Sequence, residues 1–181
     1  MDLIGKRISP QTMKILYAEP FTSKSLERDF DIRGGEWSVQ EGWLTGKNPN
    51  NAPGMLISRI AFRKNIMLDF RARTVLPSTH DIDVMWNGSW DFSSNKRCMG
   101  YIMGLEGWWD GKVGFEKAPD YKLTAATSLF IFEPGRIYHV QCGNVDGHLF
   151  CIVDGNFVLE LIDLSLILFC HTMPLVNRKS A

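Results

Sequence analysis

The sequence predicts an all-β protein folded as a two-sheet antiparallel sandwich, and three observations lead there. Short segments of alternating apolar and polar residues recur from Gly34 to Ile162, about a dozen of them, separated by Gly, Pro, Asn and Asp. Three of these segments, 136–141, 148–153 and 157–162, are joined by Asn144-Val145-Asp146-Gly147 and Asp154-Gly155-Asn156. The Asp-Gly pairs supply the positive φ that tight hairpins need, so this stretch reads as a meander. Helical periodicity is nearly absent; only residues 25–29 read as one short turn. Many short strands with one apolar face each bury those faces by stacking two sheets.

Taken in order, residues 1–14 are a lead-in without a clear period, and 15–181 form one domain. Ile15-Leu16-Tyr17-Ala18-Glu19 reads as a first strand stopped by Pro20. Trp37-Ser38-Val39 and Trp43-Leu44-Thr45 flank Gln40-Glu41-Gly42, a hairpin signal, and residues 55–59 form the next strand. In residues 65–74, Ile66, Leu68, Phe70 and Ala72 alternate with Met67, Asp69, Arg71 and Arg73, which fits a strand with one buried face. Residues 81–86 follow, with Ile82, Val84 and Trp86 on one face and Asp81, Asp83 and Met85 on the other. Residues 87–99 read as a polar loop, 101–105 and 112–116 as strands, 118–126 as a connector and 128–132 as a further strand.

Composition closes several functional classes. Twenty basic and twenty acidic residues balance, and no basic stripe is present, so the chain lacks the footprint of a nucleic-acid binder. Cys98, Cys142, Cys151 and Cys170 show no C-x-x-C spacing, which points to free thiols rather than a metal site. The first residues lack a basic start followed by an apolar run, and the apolar stretch at 164–170 is too short to span a bilayer. The expectation is a cytoplasmic protein with no membrane partner.

The chemistry concentrates at residues 80–116. Four of the six tryptophans lie there (Trp86, Trp90, Trp108 and Trp109), together with Asp81, Asp83, Asp91, Glu106, Asp110 and Glu116. A pyranose presents a C–H face that packs on an aromatic ring and a rim of hydroxyls that needs donors and acceptors. Tryptophans beside carboxylates and amides, as in N-G-S-W-D and G-W-W-D-G, supply both. The predicted ligand is therefore an oligo- or polysaccharide, bound by Trp86, Asn87, Trp90, Trp108, Trp109, Asp110 and Glu116. The competing reading is an interaction module whose tryptophans fill the sandwich core. One difficulty is visible at once: period 2 puts Asp83 and Trp86 on opposite faces of one strand.

Three stretches, W-S-V-Q-E-G-W-L, P-G-R-I-Y-H-V-Q-C-G and D-G-H-L-F-C-I-V-D-G-N-F-V-L-E-L, resemble the concanavalin A-like lectin/glucanase jelly roll, over residues 17–163. The resemblance implies a concanavalin A-like, curved sheet whose concave face holds a glycan or, in enzyme members, a catalytic cleft. The tail L-S-L-I-L-F-C-H-T-M-P-L-V departs from that family, because the closing strand after residue 163 lacks the usual glycines. Hydrolase members carry carboxylates in a pattern like E-x-D-x-E on one strand face. The comparable run here is Asp81-Ile82-Asp83-Val84-Met85, which offers Asp81 and Asp83 but places Met85 where the third acid stands. A lyase would use Tyr138 or His139 as base with Gln141, Arg71 or Arg73 to neutralise a uronate, yet the R-x-E and Q-I/V-H signatures are missing. His80, Asp81 and Asp83, with Asn87, are the candidate metal donors, and calcium is the cation such a set would take; no other cofactor is expected.

Overall fold

The computed structural model describes residues 2–49, 54–107, 111–120 and 122–167. Two compact units are distinguished, Ile8–Ala61 and a second made of Asp2–Arg7 with the chain from Phe62 onward. A small hairpin, β1 (Asp2–Leu3) and β2 (Lys6–Arg7), opens the chain and belongs to the second unit.

In the first unit, α1 (Ser23–Asp29) forms where one helical turn was expected. Its start is fixed by a reciprocal cap: the Ser25 N–H donates to Thr22 Oγ1 at 3.1 Å, and the Thr22 N–H donates to Ser25 Oγ at 2.8 Å. β3 (Phe30–Ile32) pairs with β6 (Leu56–Ser58), and β4 (Glu36–Gln40) with β5 (Trp43–Lys47). The β4–β5 turn places Glu41 and Gly42 at φ of 50° and 77°, the left-handed pair a two-residue hairpin requires. The strand expected at residues 15–19 is absent. Ile15 and Leu16 are exposed, and Tyr17 turns its hydroxyl to Asp29 at 2.8 Å, so alternation there has no ladder to join.

The second unit is a two-sheet antiparallel sandwich. One sheet has the order β13 (Lys122–Thr127), β12 (Val113–Ala118), β11 (Gly100–Leu105), β8 (Ile82–Trp86). The other has the order β16 (Asn156–Ile162), β15 (His148–Val153), β14 (Tyr138–Val145), β7 (Ile66–Ala72). A short hairpin, β9 (Trp90–Asp91) with β10 (Lys96–Arg97), sits between β8 and β11 in the chain. Trp86, Tyr101, Met103, Leu105, Val113 and Phe115 from the first sheet and Tyr138, Val140, Cys142, Leu149, Cys151 and Val153 from the second form one buried cluster. Removing these side chains from water is the main favourable term for the unit.

The meander forms as predicted, with Asp146 and Asp154 at positive φ before Gly147 and Gly155. Cys142 and Cys151 are paired across β14 and β15, both buried in the core and both free thiols. Two expectations shift by one element. Most of the segment 118–126, read as a connector, lies in β13 (Lys122–Thr127), an edge strand whose weak pattern is completed by its pairing with β12. Residues 128–132, read as a strand, join no sheet, although their alternation is real: Leu129 and Ile131 are 92% and 80% exposed, while Phe130 and Phe132 pack on Tyr138 with ring centroids 5.6 and 5.2 Å away. No helix among the described residues is long and apolar enough to cross a membrane.

Candidate functional site

Alternation decides which side chains leave the core. Ile82, Val84 and Trp86 on β8, Tyr101, Met103 and Leu105 on β11, and Val113 and Phe115 on β12 point between the sheets. Asp83, Met85, Ile102, Gly104, Gly114 and Glu116 therefore share the outer face of this sheet. The register aligns Asp83 with Gly104 and Gly114, and Met85 with Ile102 and Glu116. Asp83 thus stands beside two strands that carry no side chain at its level. Glu116 stands one step further along, at a break in the β12–β13 register between Phe115 and Glu116. The Thr124 hydroxyl donates to the Phe115 carbonyl there at 2.9 Å. Bulges of this kind re-aim side chains beside binding and active sites.

The segment 87–99 is folded back by mutual backbone bonds: Ser89 N–H to Met99 O and Cys98 N–H to Ser89 O, each 2.9 Å. Its hairpin pairs Arg97 with Trp90. Asp91 shapes the turn by accepting from the Ser93 N–H at 2.9 Å and from the hydroxyls of Ser93 and Ser94. Those donors hold its pKa down at about 2.

The electrostatics single out Asp83 and Glu116. Glu116 is 3% exposed, and its Oε2 has no hydrogen-bond partner among the described residues. Burial raises its pKa, and the Arg97 charge opposes the rise. Asp83 keeps one side open to solvent, with protein packed around the others. That surrounding protein raises its pKa well above the usual carboxylate range; the charge and hydrogen bond of Asp81 add to this, Glu116 contributes, and Arg97 again opposes. Water on the open side tempers the shift. Asp81 itself is held at φ 84°, its N–H bonded to the Glu106 carbonyl at 2.9 Å, and Gly107 lies against Asp83 so closely that an added Cβ would come 3.0 Å from Oδ1. Asp81, Asp83, Glu116 and Arg97 therefore form one acidic cluster with a single opposing cation, able to accept hydrogen bonds from hydroxyls or to hold a proton.

Several sequence-predicted site residues lie elsewhere. Trp86 is 4% exposed and sealed in the core, with ring centroids 5.9 Å from Tyr101 and 6.3 Å from Phe115. Its alternation with Asp83, not its polar neighbours, determines where it goes. Asn87 is buried and directs its amide to interior oxygens rather than to a rim. Glu116 is on the predicted face but covered, not an exposed rim group. Trp90 is half-buried, and its indole Nε1 is buried without a partner among the described residues. Trp108, Trp109 and Asp110 lie outside the described residues.

Tyr138 cannot serve as a base: it is fully buried, and its hydroxyl accepts the Glu133 N–H at 2.6 Å. His139 and Gln141 point away from it and share Asp69, each at 2.7 Å, as a cross-strand polar set on the other sheet. His80 is exposed, and among the described residues its ring bonds Thr79, not Asp81 or Asp83. Among the described residues no group of three or more His, Cys, Asp or Glu is arranged to hold a metal ion. Arg97 was overlooked as a site residue. The turn chemistry of D-F-S-S-N marks the hairpin that carries it, and that signal was present in the sequence.

The first unit offers an open groove lined by Phe30, Ile32, Trp37 and Arg59. Two of its polar side chains are already engaged. Arg59 bonds Asp31 and the Glu27 carbonyl, both at 3.0 Å, and the Trp37 N–H donates to Gly34 O at 2.9 Å.

No family model matches the sequence, and no curated protein matches it. Among solved structures, the chain is similar to the carbohydrate binding module CBM66 from Bacillus subtilis. The TM-score is 0.59 at 13% sequence identity, covering 75% of this chain and 80% of that one. The likeness is one of fold, a β-sandwich.

Proposed function

We propose that the outer face of the β8–β11–β12–β13 sheet recognises carbohydrate, on a jelly roll of the concanavalin A-like kind. In this reading Asp83 and Glu116 accept hydroxyl hydrogen bonds and Arg97 donates. Trp90 supplies the apolar wall. The observation that carries the proposal is Glu116, a buried carboxyl whose Oε2 has no partner among the described residues, on the same sheet face as Asp83 and under the influence of Arg97. A buried acceptor of that kind is costly unless a ligand donor completes it. The fold shared with a carbohydrate binding module supports the same ligand class.

The test is titration calorimetry against a panel of plant and bacterial oligosaccharides. Asp83→Asn, Glu116→Gln and Arg97→Ala are each expected to weaken binding at least tenfold, while Arg71→Ala on the other sheet leaves it unchanged. Wild-type affinity in all three, with the fold intact by circular dichroism, refutes the assignment.

A second reading is favoured by one observation. A carboxyl whose pKa is raised by its surroundings and by a neighbouring carboxylate is what a glycosidase needs as its general acid. Release of reducing ends by the pure protein, abolished in Asp83→Asn and Glu116→Gln, would establish hydrolysis; binding without release establishes recognition alone.

A further inference from the structure

The open groove of the first unit is built around an indole held from two sides. Trp37 on β4 pairs with Gly46 on β5. A Cβ added to Gly46 would lie 2.6, 2.8 and 2.9 Å from Cζ3, Cε3 and Cη2 of Trp37. Three adjacent ring carbons at nearly equal distances put Gly46 over the face of the ring, not at its edge. The indole therefore lies flat on the β5 backbone, where a side chain at position 46 would displace it. Its N–H donates to the Gly34 carbonyl at 2.9 Å, presented by a turn with Gly34 and Gly35 at φ of 100° and 74°. With one face and its single polar atom taken, what Trp37 brings to the groove is carbon.

The polar walls are fixed as firmly. Arg59 meets Asp31 Oδ1 through Nε and Nη2, each at 3.0 Å, and the carbonyls of Glu27 and Arg28 through Nη1 at 3.0 and 3.4 Å. A guanidinium has five N–H donors, so one remains to offer while the others hold its plane. Asp31 spends Oδ1 on this pair and keeps Oδ2. Glu27 and Arg33 complete the lining, and the two carboxylates balance the two guanidiniums. A phosphate would need an excess of cations here, and an ammonium an excess of anions. A neutral ligand with a C–H face and a rim of hydroxyls meets every wall. The groove holds about 570 Å³, within the range of small-molecule sites.

We infer that this groove is a second carbohydrate-binding site, in which a sugar ring stacks its C–H face on Trp37 while Asp31 Oδ2 and the fifth N–H of Arg59 bond its hydroxyls. Because Trp37 and Arg59 are already held in place, binding orders little that is not ordered beforehand. The site shares no residue with the acidic face of the second unit and does not rest on that assignment.

The experiment follows the indole N–H signal of Trp37 in proton–nitrogen correlation spectra of the full chain, identified by its absence in Trp37→Phe. The probes are cellohexaose, xylohexaose, mannohexaose and chitohexaose, with sodium phosphate and tetramethylammonium chloride beside them, each to about 10 mM, enough to load a millimolar site. At least one sugar is expected to move the signal saturably. Trp37→Ala should weaken that sugar, read by calorimetry, by about tenfold or more, and Asp31→Asn by about threefold or more. The shift should persist in Asp83→Asn. A signal unmoved by all four sugars, or moved only by phosphate or tetramethylammonium, overturns the inference. Wild-type affinity in Trp37→Ala overturns it as well. So does a shift lost in Asp83→Asn, which would leave the acidic face as the glycan site by itself. Where Trp37→Ala does not fold, the wild-type spectra and Asp31→Asn decide the matter.

Discussion

Replacing Glu116 by Gln separates the demands of folding from those of a binding site. The carboxyl is 3% exposed, and its Oε2 has no partner among the described residues. Burial raises its pKa above the ordinary 4.5, more than the Arg97 charge lowers it. A carboxyl that holds its proton more tightly when folded contributes stability that is full below about 4.5 and is lost as pH rises through the folded-state value. Once ionised, the carboxyl is a charge the folded protein would do better without. Leaving a charged acceptor buried and unmatched costs roughly 1–3 kcal/mol, and the Arg97 charge offsets part of that. Glu116→Gln keeps the shape and removes the charge, so a gain of about 1 kcal/mol at pH 7 is expected, or about 2–4 °C in melting temperature. At pH 4 variant and wild type should agree within a few tenths of a kcal/mol. The measurement is urea unfolding followed by tryptophan fluorescence at pH 4, 5, 6 and 7. A gap between the two proteins that is constant across pH, or a loss of stability at pH 7, would falsify the account and show a carboxylate already engaged. A gain in stability coupled to a loss of oligosaccharide affinity is the signature of a site that folding does not need.

Three further outcomes follow from the packing. Tyr101→Phe removes a buried hydroxyl that donates to Asp163 at 2.6 Å and accepts from the Ile167 N–H at 2.9 Å. A charge-assisted bond and an orphaned amide together predict a loss of about 3 kcal/mol, read as a lower urea midpoint at unchanged slope. Trp86→Phe keeps an aromatic ring in the core and removes an indole N–H that has no partner among the described residues, so it should cost about 1 kcal/mol and leave oligosaccharide affinity at its wild-type value; a tenfold loss of affinity would return Trp86 to the site. Gly143→Ala should lower stability by about 3 kcal/mol or more, measured by thermal melting, because its Cβ would fall 2.0 Å from the Ile66 carbonyl oxygen across the β14–β7 ladder.

The architecture was readable because period 2 and Asp-Gly turns are local signals. Leu68 and Phe70 pack on the sandwich core as their alternation requires, and the meander turns at the two Asp-Gly pairs. Membership of a sheet is not local. Residues 15–19 and 128–132 are apolar runs with the composition of strands, yet neither pairs with a strand among the described residues, while 122–127 alternates poorly and is completed by β12. The site was half readable for the same reason. Asp83 and Glu116 could be placed on one sheet face only once β11 was known to lie between their strands. Arg97 joins them through a hairpin built by Asp91, Ser93 and Ser94, whose side-chain bonds resemble any polar loop in the sequence.

The fate of Trp86 and of Asp83 shows why composition misled where alternation did not. Both belong to one five-residue strand, and both are the residue types a sugar site uses. A strand gives its odd and even positions to different environments, so a platform and a rim cannot come from adjacent parities of β8. The half of the strand that meets Tyr101 and Phe115 is spent on the core. Only the other half, Asp83 and Met85, is available to a ligand, and an aromatic wall for it has to come from outside the sheet. Trp90 is the candidate, because it is carried by the β9–β10 hairpin and is free of the parity of β8. The proposed recognition on this face therefore draws its apolar contacts from the connections between strands and its charged groups from the strands and the β9–β10 hairpin.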